Sequence, residues 1–413
     1  CSVTASGANA AGGGITPGAG TLTIGGNNAS TTYGGAITGT GGLVKTGAGR
    51  QILTGASSFS GETKMQGGML RLAGTNGSAL YNGGSGKVTI SHDGTGALGF
   101  YSILEIGAAN QLGANVDLEF DVNRAYAYLS LLGNSTEVGN LSIIGTRPEW
   151  AVIQNFEGVN GVDGNSFANA TFTVNQTRDD LFNGYMRDNV SGTGRLEFVK
   201  KGSATLTMDG RNISHTGGTK VMEGRVIAQN DSLGGNSAAS TIFINTNAFL
   251  QYYKNGGSAY GQGLRQKGAT ISGAGTLEKT GNSMLIFGGA GQVNIAMDAG
   301  SWIHIKEGEI KAHDSVQANW DNNKASLRLD AGTIFGQIEG NVTVGALEGQ
   351  GTVLLGYDNF RPTMRIGYGD ASAVFEGDVR EDRRYSGNTV GAMTKIGRGT
   401  QTLAGTNNWF RGN

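Results

Sequence analysis

Cysteine, proline and charge are all scarce in this chain. Its 413 residues include one cysteine and 3 prolines, and charged residues make up 15%. One cysteine cannot close an intrachain disulfide, which excludes a disulfide-stabilised scaffold. So little proline, without glycine at every third position, excludes collagen. The 31 basic and 32 acidic residues give a net charge of −1, so no overall field attracts nucleic acid or anionic lipid.

Long apolar runs and histidine clusters are also missing. No stretch approaches the roughly 18 consecutive apolar residues of a membrane-spanning helix. The four histidines are His92, His215, His304 and His313. No two of them have the i, i+4 spacing of a helical metal site. We therefore expect no metal and no cofactor, and we expect His215 and His313 to be solvated turn residues.

Glycine is the residue that this chain has in excess. There are 74 glycines, roughly 18% of the chain against an ordinary usage of about 7%. Each glycine inside a helix costs about 1 kcal/mol relative to alanine, so a helical protein is not expected. With 38% hydrophobic residues the composition also departs from that of disordered chains. It predicts an all-β protein with many turns.

One sequence block recurs along the chain. Its copies occupy residues 37–72, 190–228, 271–312 and 393–413. Each reads approximately as G-x-L-x-K-x-G followed by a short alternating stretch, and such alternation is typical of strands with one face in a core. Glycine and asparagine between the strands supply the positive φ angles of tight turns. The copies are unevenly spaced, which a solenoid tolerates because each coil contacts only its neighbours.

These features predict one continuous, elongated parallel β-helix over residues 1–413. Coils of about 20 to 25 residues would give roughly 16 to 20 coils. Residues 100–188 are the least regular and are expected to carry projecting loops. Leu43, Leu196 and Leu277 occupy one equivalent repeat position, so we expect them to stack in an internal column.

The block itself resembles a known family. The sequence GTGGLVKTGAGRQILTGASSFSGETKMQGG is similar to the autotransporter-associated β-strand repeat of type V secretion passengers. The resemblance implies a right-handed parallel β-helix on or beyond the outer membrane of a Gram-negative bacterium. It does not imply one activity, since the family includes adhesins, toxins and structural stalks. The C-terminal translocator of that family is not recognisable in these residues.

The last block stops within a repeat, and the first residues resemble its missing continuation. One hypothesis is head-to-tail self-assembly, in which the C-terminal coil of one copy is completed by the N-terminal strand of the next. The alternative is a fragment of a longer passenger, or a cleaved surface passenger. The interface hypothesis involves Cys1, Ser2, Val3, Thr4, Asn408, Trp409, Phe410, Arg411, Gly412 and Asn413.

We interpret the charged residues of this chain as structural or solvated rather than catalytic. The adjacent Asp179 and Asp180 should point to opposite faces of a strand, which does not suit the paired carboxylates of a glycosidase. Four lysines recur beside repeat turns and are expected to be solvated, although a basic stripe for an acidic partner is the alternative. These four lysines are Lys45, Lys200, Lys279 and Lys395. The segment 379–387 is expected to be a solvated charged loop.

Aromatic residues in the irregular region are candidates for partner contact. Trp150, Phe156, Phe182 and Tyr185 would form such a patch if they are exposed. The competing interpretation is that these rings pack in the core or between coils. Alternation from Ala125 to Leu132 places Tyr126 and Tyr128 on one face of a strand.

The sequence therefore predicts a non-enzymatic, adhesive and structural β-solenoid on the bacterial surface or outside the cell. Expected partners are further copies of itself and a host-surface or cell-envelope polysaccharide or protein. Nucleic acid and a membrane-spanning segment are not expected. The rival hypothesis is a cleaved autotransporter passenger that acts as a host-directed effector or toxin, or as a polysaccharide-processing enzyme.

Overall fold

A computed structural model describes most of the chain. The described residues are 13–81, 84–92, 94, 101–157, 167–188, 193–209, 213–229, 233, 240–256, 269–288, 293–313, 319–384 and 389–411. The chain divides into two compact units, Cys1–Gly218 and Thr219–Asn413. We describe each unit by itself, and one continuous β-helix over all residues stays a prediction. In the described residues, no helix has the length and apolar character needed to cross a membrane.

The first unit is built from short strands. They are β1 Leu22–Ile24, β2 Thr31–Tyr33, β3 Thr38–Gly39, β4 Leu43–Lys45, β5 Arg50–Leu53, β6 Ser58–Phe59, β7 Thr63–Met65, β8 Gly68–Leu72, β9 Gly86–Ile90, β10 Tyr101–Ile106, β11 Val116–Asp121, β12 Tyr126–Ser130, β13 Thr136–Val138, β14 Leu141–Ile144, β15 Ala151–Gln154, β16 Ala170–Asn175, β17 Asp180–Phe182, β18 Tyr185–Arg187, β19 Leu196–Lys201 and β20 Thr205–Met208. A 3-10 helix covers Pro148–Trp150.

The second unit has the same construction. Its strands are β21 Thr219–Val221, β22 Arg225–Gln229, β23 Thr241–Ile244, β24 Phe249–Tyr253, β25 Thr270–Gly273, β26 Thr276–Thr280, β27 Met284–Gly288, β28 Asn294–Met297, β29 Trp302–Ile305, β30 Glu309–His313, β31 Ser326–Leu329, β32 Ile334–Ile338, β33 Val342–Val344, β34 Leu347–Gly349, β35 Thr352–Leu355, β36 Thr363–Ile366, β37 Ala373–Phe375, β38 Asp378–Glu381, β39 Ala392–Lys395 and β40 Gln401–Leu403. A 3-10 helix covers Tyr368–Asp370.

Neighbouring strands in each unit are parallel and belong to successive coils. In the first unit, one sheet runs β1-β4-β7-β9-β11-β14 and another runs β2-β5-β8-β10-β12-β15-β18. In the second unit, one sheet runs β22-β24-β26-β29-β31-β34-β37-β40 and another runs β33-β36-β39. Consecutive chain segments pair with the coil before and the coil after them, which is the pairing of a parallel β-solenoid. The all-β solenoid prediction is confirmed.

The repeat leucines lie in the interior as expected, but Leu43, Leu196 and Leu277 belong to three different sheets, so the prediction that they stack in one column is wrong. Leu43, Leu196 and Leu206 are fully buried in the first unit, and so is Leu277 in the second. Strand alternation explains this burial, because every second side chain points to the same side of its sheet. Each buried leucine contributes about 1.5 to 3 kcal/mol of transfer free energy. The core of each unit is therefore a stack of short apolar rungs.

Side chains of one coil also cap the turn of the next. Asn28 Oδ1 accepts the Ala48 N–H at 2.8 Å, 20 residues along the chain. Asn255 does the same for the Asn282 N–H at 2.8 Å, 27 residues on, and Asp370 for the Arg398 N–H at 2.6 Å, 28 residues on. Coil length thus exceeds the expected 20 to 25 residues in these later repeats. Such caps satisfy turn N–H groups that have no strand partner.

Candidate functional site

The repeat lysines lie inside the solenoid. Lys45, Lys200 and Lys279 each have 0% relative exposure. The prediction of solvated lysines is therefore wrong for these three, while Lys395 is exposed. Strand alternation gives the reason, since each lysine lies two residues after an inward apolar side chain, Leu43, Phe198 or Leu277, and must share its face. The stripe of lysines along the outer surface that was the alternative is equally excluded for the buried three.

Each buried ammonium is held by backbone carbonyls of the turn that follows it. Lys45 Nζ donates to Thr46 O at 2.7 Å, Gly47 O at 2.9 Å and Gly67 O at 3.1 Å. The first two acceptors belong to its own turn, where Gly47 has φ 68°. The third belongs to the next coil. Three charge-assisted hydrogen bonds offset the cost of burying the ammonium group.

Lys279 repeats this arrangement, and Lys200 also binds carbonyls of its own turn. Lys279 Nζ donates to Thr280 O at 2.7 Å, Gly281 O at 2.6 Å and Glu307 O of the next coil at 3.3 Å. Lys200 Nζ donates to Gly202 O at 2.6 Å and to Ala204 O. Burial lowers the pKa of both Lys45 and Lys279 to about 8. In these three repeats, an apolar residue, x, lysine, x and glycine thus form a motif whose buried cation binds its own turn.

The aromatic candidates separate into buried and accessible residues. Phe156 and Phe182 have 0% exposure, so their rings offer no surface to a partner in this structure. Phe182 packs edge-on to Phe120, and Arg187 lies 4.9 Å over the Phe156 ring. This agrees with the competing interpretation of core packing. Tyr185 is half-buried and packs against the buried cluster of Ile103, Tyr128 and Val152.

Trp150 belongs to a stack on the outer face of the first unit. Tyr126 stacks on Tyr128 with ring centroids 5.9 Å apart and on Trp150 at 5.2 Å. Arg147 covers Trp150, with its guanidinium 4.9 Å from the ring centroid. Tyr126 is 39% exposed. We call Tyr126, Tyr128, Trp150 and Arg147 the aromatic stack; its members cover each other's faces, and Tyr126 and Arg147 are the exposed ones.

Part of the predicted self-assembly interface packs on its own preceding coil. Asn408 Oδ1 accepts the Val379 N–H at 2.8 Å, and the Trp409 N–H donates to Val379 O at 2.9 Å. Arg411 pairs with the buried carboxylate of Glu381 at 3.1 Å, and Phe410 is half-buried. Cys1, Ser2, Val3, Thr4, Gly412 and Asn413 lie outside the described residues. The head-to-tail interface remains a prediction.

Two charged regions are more buried than the sequence suggested. His215 has 0% exposure, and burial lowers the pKa of its imidazole to about 4, so the expectation of a solvated turn residue is wrong. Asp382, in the segment expected to be a solvated loop, also has 0% exposure. It pairs with Lys311 Nζ at 3.3 Å and with Arg384 at 2.8 Å. Long-range packing buries both groups, and their own sequence neighbours do not show it.

The adjacent aspartates and two of the histidines that the sequence analysis considered are engaged in structural contacts. Asp179 Oδ1 accepts the Thr205 N–H at 2.7 Å, whereas Asp180 lies 3.0 Å from the Arg178 guanidinium. His304 lies 2.8 Å from Asp330, and His313 lies 3.7 Å from Glu339. No group of three or more metal-ligating side chains occurs in the part of the chain that the structure describes. The carboxylates and histidines that the sequence offered for acid–base or metal chemistry are thus used in structural contacts.

Comparison with known proteins supports the family resemblance. A family model described as the passenger-associated transport repeat matches residues 43–72, 198–228 and 393–412. These ranges contain Lys45, Lys200 and Lys395; the block around Lys279 lies outside them, although its lysine has the same geometry. No solved structure matches.

A curated relative gives the same indication. The adhesin BmaC autotransporter of Brucella suis biovar 1 (strain 1330) is 51% identical over 82 residues. The aligned segment is 19% of this chain and 2% of that protein, so this chain spans only a small part of its relative's length. With the parallel coils, these findings show that the chain contains passenger-associated transport repeats and is similar, over part of its length, to an autotransporter passenger.

Proposed function

We propose that this chain is a non-enzymatic section of a surface adhesin, displayed on or released from a Gram-negative bacterium. The observation that carries the proposal is the repeat itself, whose buried leucines and capped lysines serve to stack coils. The similarity to an autotransporter adhesin over 82 residues supports the same function. A stack of coils provides a rigid scaffold, and adhesion is then a property of side chains on its outer faces.

The engagement of the carboxylates supports this function over the hydrolytic alternative. A glycosidase needs two carboxyl groups that face one substrate, one of them with a raised pKa. Burial does raise the pKa of Asp180, but its carboxylate is bound to Arg178 and Gln176. Asp179 is used as a cap for Thr205 of the next coil. Asp179 therefore joins two coils, and Asp180 is held by side chains of its own coil.

The aromatic stack is the adhesive surface that we propose for the first unit. Aromatic and arginine side chains dominate the free energy of many protein contacts. Here a tyrosine that is 39% exposed lies beside a half-buried tryptophan and an arginine on one outer face. A host-surface protein that buried these side chains would also receive hydrogen bonds from the phenol and the guanidinium.

We expect beads coated with the 413-residue protein to bind host epithelial cells, and the double variant Tyr126→Ala, Trp150→Ala to bind at least about tenfold fewer cells. Phe360→Ala is the matched control, because Phe360 is also exposed, at 47%, but lies in the second unit. Bead counts per cell by microscopy give the measurement. Equal binding by uncoated beads would contradict the adhesive function, and equal binding by the double variant would contradict the assigned surface.

End-to-end association between copies is a second candidate function, because successive coils of this repeat already pair edge to edge within each unit. An unpaired edge of a parallel sheet can accept a strand from another chain. Because the two edges involved are different, such contacts would repeat into a filament.

A further inference from the structure

We propose that the first unit holds a binding pocket for a neutral saccharide where two successive coils turn. This pocket goes beyond the protein-binding surface proposed above, because it is a second site and takes a different class of ligand. It lies between the connection from β8 to β9 and the connection from β10 to β11. The two connections are stacked, since β8 pairs with β10 and β9 pairs with β11.

The pocket has the size of a small-molecule site. Its volume is about 380 Å³. Pockets that bind small molecules usually measure about 300 to 1,000 Å³. Both connections contribute to the lining, with Thr75, Ser78 and Tyr81 from the first and Asn110, Leu112 and Asn115 from the second. The turns of two neighbouring coils thus leave space for a small ligand between them.

The chemistry of the lining indicates the class of ligand. Among the described residues that line the pocket, none is charged. A charged ligand would therefore lose hydration there without gaining a counter-charge. Thr75, Asn110 and Asn115 are exposed, and their hydroxyl and amide groups both donate and accept hydrogen bonds. Sugar hydroxyls have the same double capacity, so a neutral saccharide matches this lining better than an ion or an apolar molecule does.

The polar side chains of the lining remain available to a ligand. Those of Thr75, Asn110 and Asn115 make no hydrogen bond to another residue in the part of the chain that the structure describes. The backbone of the two asparagines is bound within the fold. The Asn110 N–H donates to Ser135 O at 3.0 Å, and Asn115 O accepts the Gly86 N–H at 3.1 Å. Their position is thus fixed by the main chain, while their amide groups are left to bind a ligand.

One buried glutamine holds the two connections together. Gln111 is 1% exposed. Its Oε1 accepts the N–H groups of Gly74 at 2.8 Å and Ala79 at 3.0 Å. Its Nε2 donates to Gly74 O and to Ala109 O, both at 3.1 Å. All four bonds go to the backbone of the connections, so the pocket is formed before a ligand arrives. A preorganised site avoids part of the entropic cost of ordering loops on binding.

Two residues with left-handed backbone line the same pocket. Tyr81 has φ 53° and Asn110 has φ 56°. Asparagine adopts this conformation readily, but it is uncommon for a bulky residue such as tyrosine. The Tyr81 side chain is buried, and its hydroxyl lies 2.7 Å from Lys87 O and 2.9 Å from Thr63 Oγ1. The surrounding coils thus hold Tyr81 in a strained conformation, and such strain concentrates at binding sites.

The test is isothermal titration calorimetry of the full 413-residue chain with the methyl glycosides of glucose, galactose, mannose and N-acetylglucosamine, each to about 20 mM. Wild type is expected to bind at least one of them. Gly113 lines the pocket, and a Cβ there meets nothing within 4 Å, so Gly113→Phe fills the space without strain. It should weaken binding at least about tenfold, and Asn115→Ala at least about threefold. Gly26→Phe, at an exposed glycine of the same unit outside the pocket, is the matched control and should bind like wild type.

Three results would overturn the proposal. They are no binding of any neutral glycoside, equal binding by wild type, Gly113→Phe and Asn115→Ala, and tighter binding of the charged sugars glucuronate or glucosamine than of the neutral ones. Thermal unfolding followed by circular dichroism shows whether each variant folds. If Gly113→Phe does not fold, Asn115→Ala decides, since the Asn115 side chain is exposed. No host cell takes part in this measurement, so its outcome is independent of the adhesion assay above.

Discussion

Replacing Lys45 with methionine is expected to lower the free energy of unfolding by about 3 kcal/mol. Methionine fits the interior position, because Lys45 lies opposite Met65 and Ile24 in the neighbouring coils. The loss arises at the carbonyls of Thr46, Gly47 and Gly67, which the ammonium now binds at 2.7 to 3.1 Å. Buried carbonyls that lose their donor each cost about 1 to 3 kcal/mol, partly offset by removal of a desolvated charge.

Lys64→Met is the matched control for this prediction. Lys64 precedes Met65 on β7 and, by alternation, points away from the interior, where it is half-buried. Its replacement is expected to change the free energy of unfolding by less than about 0.5 kcal/mol. Urea unfolding followed by circular dichroism measures both variants. Equal stability of Lys45→Met and wild type would show that the carbonyls do not depend on the lysine.

Replacing Gly281 with alanine is expected to destabilise the protein by more than about 3 kcal/mol. Gly281 has φ 80°, a conformation that costs an L-residue about 1 to 2 kcal/mol. A Cβ at this position would also lie 2.2 Å from Lys254 O and 2.6 Å from Lys254 C in the preceding coil. Backbone of a packed coil cannot move away cheaply, so the coils must separate locally.

Gly300→Ala distinguishes the contact between coils from backbone strain. Gly300 has φ 85°, close to that of Gly281, but a Cβ there meets nothing within 4 Å. We expect Gly300→Ala to lower the free energy of unfolding only by the cost of the positive φ angle, about 1 to 2 kcal/mol. The midpoints of thermal unfolding for the two variants give the comparison. Equal shifts of the two unfolding midpoints would mean that the close approach of neighbouring coils at Gly281 adds nothing to the destabilisation.

Much of the fold could be predicted from local patterns. Alternation in stretches such as Leu43–Lys45 assigns strands, and the glycines that follow them assign turns, because both signals lie within a few residues. The same alternation correctly placed Leu196 and Leu277 inside. It also placed Tyr126 and Tyr128 on one face, where their rings now stack.

The lysines show where this reasoning went wrong. Alternation put Lys45 on the same face as Leu43, but the charge of the side chain suggested a solvent position. The ammonium group is stable in the interior because it also binds the carbonyl of Gly67, 22 residues away in the next coil. A local pattern does not reveal that acceptor. The available signal was the recurrence of the lysine within the repeat motif. A solvated lysine is not required to recur at a fixed distance from an inward apolar residue.

Burial of isolated polar and aromatic residues was equally difficult to predict. Asp382 is buried because Lys311, 71 residues earlier, and Arg384 surround its carboxylate. Phe156 and Phe182 lie in the least repetitive region, where alternation did not distinguish core from surface. Their burial depends on partners such as Phe120 and Arg187 on other coils. These contacts follow from the stacking order, which the sequence does not specify there.

Amine labelling followed by mass spectrometry tests the central claim, that capped lysines lie inside the stacked coils. In folded protein at pH 8, Lys45 and Lys279 should resist acylation, whereas Lys64 and Lys395 should react. Burial lowers the pKa of both interior lysines to about 8, so a substantial fraction of their amines is neutral at this pH and only inaccessibility protects them. Urea should make all four react. Acylation of Lys45 and Lys279 in folded protein at the rate of Lys64 would contradict the account.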